Sequence, residues 1–116
     1  MKKILVVDDE ENIRKLYQEE FEDMGFEVTT VPDGLQALAA MEAAKFDLAI
    51  LDMRMQEMGG IETLRKIKER DSALPVIISS AYEEYKQDFA SWASEAYIVK
   101  SADTTALRET VRKILG

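Results

Sequence analysis

Ile4-Leu5-Val6-Val7-Asp8-Asp9 is the stretch that decides how this chain folds: four apolar residues end abruptly in two carboxylates. A run so short and so apolar reads as a strand buried on both faces, as in a parallel sheet. The arrangement recurs along the sequence. Leu48-Ala49-Ile50-Leu51 runs into Asp52, Val76-Ile77-Ile78 into Ser79-Ser80, and Tyr97-Ile98-Val99 into Lys100. If these runs are parallel strands, their carboxyl ends share one edge of the sheet, the edge at which open α/β sheets bind ligands. Three carboxylates, a hydroxyl and an ammonium would then line one pocket, a set that suits a divalent cation and a phosphoryl group.

The segments between these runs have helical periodicity. After Asp9, the residues Ile13, Leu16, Tyr17, Phe21 and Met24 recur mostly at i, i+3, i+4 spacing, and Gly25 stops the helix. Glu27 to Val31 reads as a second strand, closed by the turn signal Pro32-Asp33-Gly34. Leu35 to Ala44 is expected to be helical with Leu38 and Met41 on one side, and Phe46 to Leu51 to be the third strand. Gly59-Gly60 opens a helix whose Ile61, Leu64 and Ile67 would point inward. Val76 to Ser79 is the fourth strand. A helix carrying Tyr85, Phe89 and Trp92 follows over 83–93, and Ala96 to Val99 is the fifth strand. Asp103 stands where an N-cap belongs, ahead of a last helix with Leu107, Val111, Ile114 and Leu115.

Strands alternating with helices of this length argue for a five-stranded parallel sheet covered on both faces, a doubly wound (βα)5 domain over residues 1–116. The flavodoxin-like order 2-1-3-4-5 places the topological switch point between strands 1 and 3, whose ends carry Asp8-Asp9 and Asp52.

Composition narrows the chemistry. The 116 residues are 47% hydrophobic and 33% charged with five Gly and two Pro, a globular profile, and no apolar stretch nears the ~20 residues of a membrane helix. Met1-Lys2-Lys3 with four apolar residues is too short for a secretion signal and is interrupted by Asp8-Asp9, which leads to the expectation of a cytoplasmic protein. Fifteen Lys and Arg against 23 Asp and Glu give a net charge of −8, which disfavours direct nucleic-acid binding. Zero Cys excludes disulfides and thiolate metal sites; zero His removes the imidazole base, the usual zinc ligand and phosphohistidine. A phosphoryl group handled here must come from outside.

Each strand-end residue also has a plain reading. Asp8 to Glu11 could simply favour a helix N-terminus, Asp52 could be a solvated strand end, Lys100 a surface cation and Ser80 a helix cap. Their meeting on one edge shifts the balance. Adjacent carboxylates facing a third repel one another, and a hard cation such as Mg²⁺ or Mn²⁺ relieves that repulsion. A carboxylate can attack phosphorus to form an acyl phosphate, with a lysine neutralising charge on the phosphoryl oxygens.

These residues resemble the receiver domain of bacterial two-component response regulators. The resemblance runs from Lys3 to about Leu115 and rests on ILVVDDEENIR, PDGLQAL, LAILDMRM, IISSAY and YIVK in that order. It implies that Asp52 is the phosphoacceptor, supplied by a histidine kinase or a histidine phosphotransfer protein. It implies that Asp8, Asp9, Asp52 and the backbone carbonyl of Arg54 hold Mg²⁺. Ser80 would be the switch hydroxyl, Lys100 the ligand of the phosphoryl oxygens and Tyr97 the switch aromatic. Arg54 and Tyr82 would occupy positions that tune how long the phosphoryl group survives. Such a domain catalyses its own phosphorylation and dephosphorylation rather than turning over a substrate. Its output surface, and a surface on which copies pair, would be the face formed by the helix over 83–93, the fifth strand and the last helix. The end at Gly116 fits a stand-alone regulator and equally a receiver from a longer protein.

The chain departs from the family pattern at several places. Ser101 stands where proline usually follows the lysine through a cis bond, and a cis bond before a non-proline residue costs ~2.5–4 kcal/mol. Gln56 stands for a frequent Pro, Gly59 for a frequent Asp and Ser80 for the commoner Thr, and Ala93-Ser94 replaces a typical Gly-Ala. Phe89 and Trp92 occupy positions where small residues are common. These departures motivate the alternative of a degenerate receiver that binds a partner without phosphorylation; the complete acidic set argues against it. A haloacid-dehalogenase-type phosphatase would want a second Asp at Arg54. A flavodoxin-type phosphate loop would be repelled by Asp8-Asp9-Glu10-Glu11.

Overall fold

The short apolar runs form strands because most of their residues are β-branched or bulky and the runs are apolar on both faces; the four residues of Leu48–Leu51 are all buried. The computed structural model describes residues 1–52, 59–80, 96–100 and 103–116. Within them lie β1 (Lys3–Val7), α1 (Glu11–Asp23), β2 (Glu27–Val31), α2 (Gly34–Ala43), β3 (Leu48–Leu51), α3 (Gly60–Arg70), β4 (Val76–Ser80), β5 (Ala96–Val99) and α4 (Thr105–Leu115). The helix expected over 83–93, with Phe89 and Trp92, lies outside the described residues, as do Arg54, Gln56, Tyr82, Ala93, Ser94 and Ser101.

The five strands form one sheet in the order β2-β1-β3-β4-β5, and each neighbouring pair is parallel. This is the expected topology, with β1 and β3 adjacent at the centre. Alternation along the strands divides the core into two layers. Ile4, Val6, Leu48, Ile50 and Ile77 face α1 and α4, meeting Tyr17, Phe21, Leu107, Val111 and Leu115. Leu5, Val7, Ala49, Leu51, Val76 and Ile78 face α2 and α3, meeting Ala37, Leu38, Leu64 and Ile67. The sheet is therefore covered on both sides. No helix among the described residues is long and apolar enough to cross a membrane.

Local signals fix the helix ends. Gly25 takes φ +94° just beyond α1, a left-handed conformation that favours glycine. Asp33 caps α2, its carboxylate accepting from the Gln36 N–H at 2.8 Å. Three expectations need adjustment. β3 begins at Leu48 rather than Phe46, because Asp47 turns its carboxylate to the Lys3 N–H (2.8 Å). Ile61 is 47% exposed; Thr63, fully buried, takes the inward position beside Leu64 and Ile67. Thr104, not Asp103, is the N-cap of α4, while the Asp103 carboxylate accepts from the Thr105 N–H at 2.9 Å and so supplies the capping bond from one residue earlier.

Candidate functional site

The sheet itself places the chemistry. Three backbone hydrogen bonds continue the ladder one residue past the strands. The Asp8 N–H donates to the Val31 carbonyl (3.1 Å), the Asp52 N–H to the Val7 carbonyl (2.9 Å), and the Lys100 N–H to the Ser80 carbonyl (2.6 Å). Because Val7 pairs with Leu51, Asp8 and Asp52 follow side by side at the carboxyl edge. Asp8, Asp52 and Lys100 are thus held by rigid backbone and not by loop geometry.

Their side chains converge. Lys100 Nζ lies 2.8 Å from Asp8 Oδ2 and 3.3 Å from Asp52 Oδ1, with Glu10 Oε1 farther away at 3.7 Å. Asp8 is 2% and Asp52 5% exposed. Burial disfavours the charged form of a carboxylate, and a neighbouring carboxylate adds to that. Burial first, then the charge of Asp8, pushes the Asp52 carboxyl up to about 6, although Lys100 works against the rise. Asp8 is also held above the ordinary carboxylate range by burial, offset in part by its bond from Lys100. Burial favours the neutral amine of Lys100, but the bond to Asp8 and the surrounding carboxylates outweigh it and keep its pKa above the usual value.

Asp9 and Glu10 are exposed. With Asp8 they form a group whose carboxylate oxygens lie within 4.8 Å of one another. Oxygen donors without nitrogen or sulfur suit a hard divalent cation, and two buried carboxylates sharing one ammonium leave negative charge for it to neutralise. The donor set therefore fits Mg²⁺. Asp52 stands beside this group through Asp8 and Lys100 and is not a member of it. Ser80 is fully buried at the end of β4, and Tyr97 is half-buried on β5 against the layer of α2 and α3. Arg54 lies outside the described residues.

Two contacts escaped the reading of the sequence. Arg14 Nη1 donates to the Asp8 carbonyl at 2.8 Å, tying α1 to the acidic edge. Tyr17 Oη and Ser79 Oγ are 2.9 Å apart in the buried layer between α1 and β4. A tyrosine on the inward face of a helix was the available signal for the second, since a buried phenol needs a partner; nothing in the sequence pointed to the first.

The family model for the response regulator receiver domain matches residues 4–112. The chain belongs to the response regulator receiver domain family. Relatives agree with that placement. This receiver domain is 36% identical over 115 residues to sporulation initiation phosphotransferase F of Bacillus subtilis (strain 168), covering 97% of this chain and 93% of that protein. It is 37% identical over 115 residues to the transcriptional regulatory protein ZraR of Klebsiella oxytoca, covering 97% of this chain but only 26% of that longer protein. Among solved structures, the response regulator TrrA of Thermotoga maritima in complex with Mg²⁺-BeF superposes with a TM-score of 0.92 at 40% identity, over 98% of this chain and 99% of that one. TrrA in complex with the histidine kinase ThkA superposes at 0.91, again at 40% identity and over all of both chains.

Proposed function

We propose that this receiver domain is a phosphorylation-controlled switch with Asp52 as its phosphoacceptor. The observation that carries the reading is the contact of a buried strand-end carboxylate, Asp52, with Lys100 at 3.3 Å beside Asp8. An Asp52 oxygen attacks the phosphorus of a phosphohistidine on a partner kinase or phosphotransfer protein. The new O–P bond forms as the P–N bond breaks, and the imidazole nitrogen leaves with the electron pair. The chain's lack of His requires that the donor histidine be the partner's.

Lys100 supplies positive charge at the phosphoryl oxygens, shifting its ammonium from the carboxylates it now bridges. Asp8, Asp9, Asp52 and the Arg54 carbonyl would hold Mg²⁺, with Mn²⁺ as a substitute. When bound, the ion neutralises charge on the transferring group. Ser80 donates its hydroxyl to a phosphoryl oxygen, Tyr97 follows it inward, and the face that includes β5 and α4 changes shape for an output domain, a separate protein or a second copy. Support for a kinase partner comes from the ThkA–TrrA complex, and for an attached output domain from ZraR, of which this chain matches a quarter.

The test is incubation with acetyl phosphate and Mg²⁺, read by intact mass. One phosphoryl group is expected on the wild type and none on Asp52→Asn. Undiminished addition in that variant would rule out the assignment.

A further inference from the structure

Tyr17 brings a hydroxyl into the buried layer between α1 and the sheet. It sits on α1, 3% exposed, its ring edge-on to Phe21 with centroids 6.0 Å apart. A leucine or phenylalanine would satisfy the packing there without a polar atom to accommodate. The phenol instead meets Ser79 Oγ at 2.9 Å. Two hydroxyls buried together, where each would be costly alone, call for a role beyond filling space.

Their location provides one. The pairing of β3 with β4 ends at Leu51 and Ile78, so Ser79 stands on the next rung with Asp52, on the α1 side of the sheet. Ser80 follows directly, and its carbonyl accepts from the Lys100 N–H at 2.6 Å. Lys100 in turn bridges Asp8 and Asp52. An unbroken line of contacts therefore runs from Tyr17 through Ser79 and Ser80 to Lys100 and the two carboxylates. Arg14, one turn earlier on α1, grips the Asp8 carbonyl at 2.8 Å and anchors the helix to the same edge.

We infer that Tyr17 is a positioning residue for the chemistry of Asp52: its bond to Ser79 fixes the end of β4 against α1 and so sets where Ser80 and Lys100 meet the phosphoryl group. The inference rests on Asp52 being the phosphoacceptor. With the bond absent, the β4 end loses its side-chain tie to α1, the contacts of Ser80 and Lys100 to the phosphoryl oxygens slacken, and water reaches the acyl phosphate more readily.

The experiment compares wild type, Tyr17→Phe, Ser79→Ala and the double variant in the full chain. Each is phosphorylated with acetyl phosphate and Mg²⁺ and freed of donor by gel filtration. The remaining phosphoprotein is then followed by intact mass, with Tm measured alongside. Each single variant removes one oxygen from the pair and keeps the remaining packing. Each is expected to shorten the phosphoryl half-life by about threefold or more, within the range of coupling effects carried through contacting residues. The double variant is expected to match either single one, because the second hydroxyl has already lost its partner. A pair that only contributes stability lowers Tm and leaves the half-life alone. Half-lives that equal or exceed the wild type's, or single effects that multiply in the double variant, overturn the inference while the phosphoacceptor reading stands. A wild type that takes up no phosphoryl group overturns both.

Discussion

Asp52 carries the sharpest conflict at the scale of single residues: a carboxylate that is 5% exposed, next to a second buried carboxylate, with one ammonium between them. Its pKa, about 6 in the fold, is above the 3.8 of a free aspartate, so the folded state binds a proton that the unfolded chain has already released. Stability of the metal-free protein therefore falls as pH rises from about 4 to about 6, by roughly 2–3 kcal/mol from this group. Thermal melts in chelator should give a higher Tm near pH 5 than near pH 7, and Mg²⁺ should recover much of the difference at the higher pH. Asp52→Asn, measured in urea at neutral pH without metal, should raise stability by about 1–2 kcal/mol, less than the full shift because Lys100 loses one of its partners. Lys100→Ala should do the opposite and cost about 3 kcal/mol, since it removes the ammonium that both buried carboxylates share. That cost should shrink near pH 5, where Asp52 takes up a proton. An Asn variant as stable as wild type at neutral pH would mean that the carboxylates do not strain one another.

At the scale of elements, helix ends rest on a few identifiable residues. Asp33→Ala removes the carboxylate that receives the Gln36 N–H and is expected to cost about 1 kcal/mol by urea denaturation. The neighbouring Asp33→Asn, which keeps an acceptor, should cost much less. Most of these elements could be read from the chain because short continuous apolar runs alternate with stretches of helical period: Glu27–Val31 and Ala96–Val99 coincide with their expected bounds. The readings that shifted did so where a tertiary contact overrode local pattern. Phe46 is buried as expected, but Asp47 spends its carboxylate on the Lys3 N–H and delays the strand. Ile61 has the hydrophobicity for the core and Thr63 does not, yet the direction of α3 sends Ile61 outward. The carboxylate–lysine cluster could be seen because register converts strand-end positions into neighbours. The Tyr17–Ser79 and Arg14–Asp8 contacts could not, because each joins a helix to a sheet edge across a distance that no spacing rule covers.

Over the whole molecule, stability and function are distributed unequally across the sheet. β1 and β3 are central and their apolar residues are at most 1% exposed, whereas β5 is an edge strand of half-buried residues ending in Val99 at 37% exposure. Yet β5 is the strand that delivers Lys100 to the carboxylates, and among the described strands it pairs with β4 alone. The other edge, β2, delivers no side chain to the cluster; it lends the Val31 carbonyl that holds the Asp8 N–H. Native-state hydrogen exchange should reflect this asymmetry. Amides of β1, β3 and β4 should exchange only through global unfolding, and those of β5 through a smaller, earlier opening. A ligand that binds only the folded state raises the protection of globally exchanging amides by one common amount. If beryllofluoride with Mg²⁺ draws Lys100 onto a phosphoryl mimic at Asp52, opening β5 breaks that contact and is opposed by up to the same amount, whereas opening β2, which brings no side chain to the cluster, leaves the ligand bound. Protection in Ala96–Val99 should then rise by more than in Glu27–Val31, and the excess should vanish in Lys100→Ala. An equal rise at both edges would place the switch elsewhere than in the strand that carries the lysine.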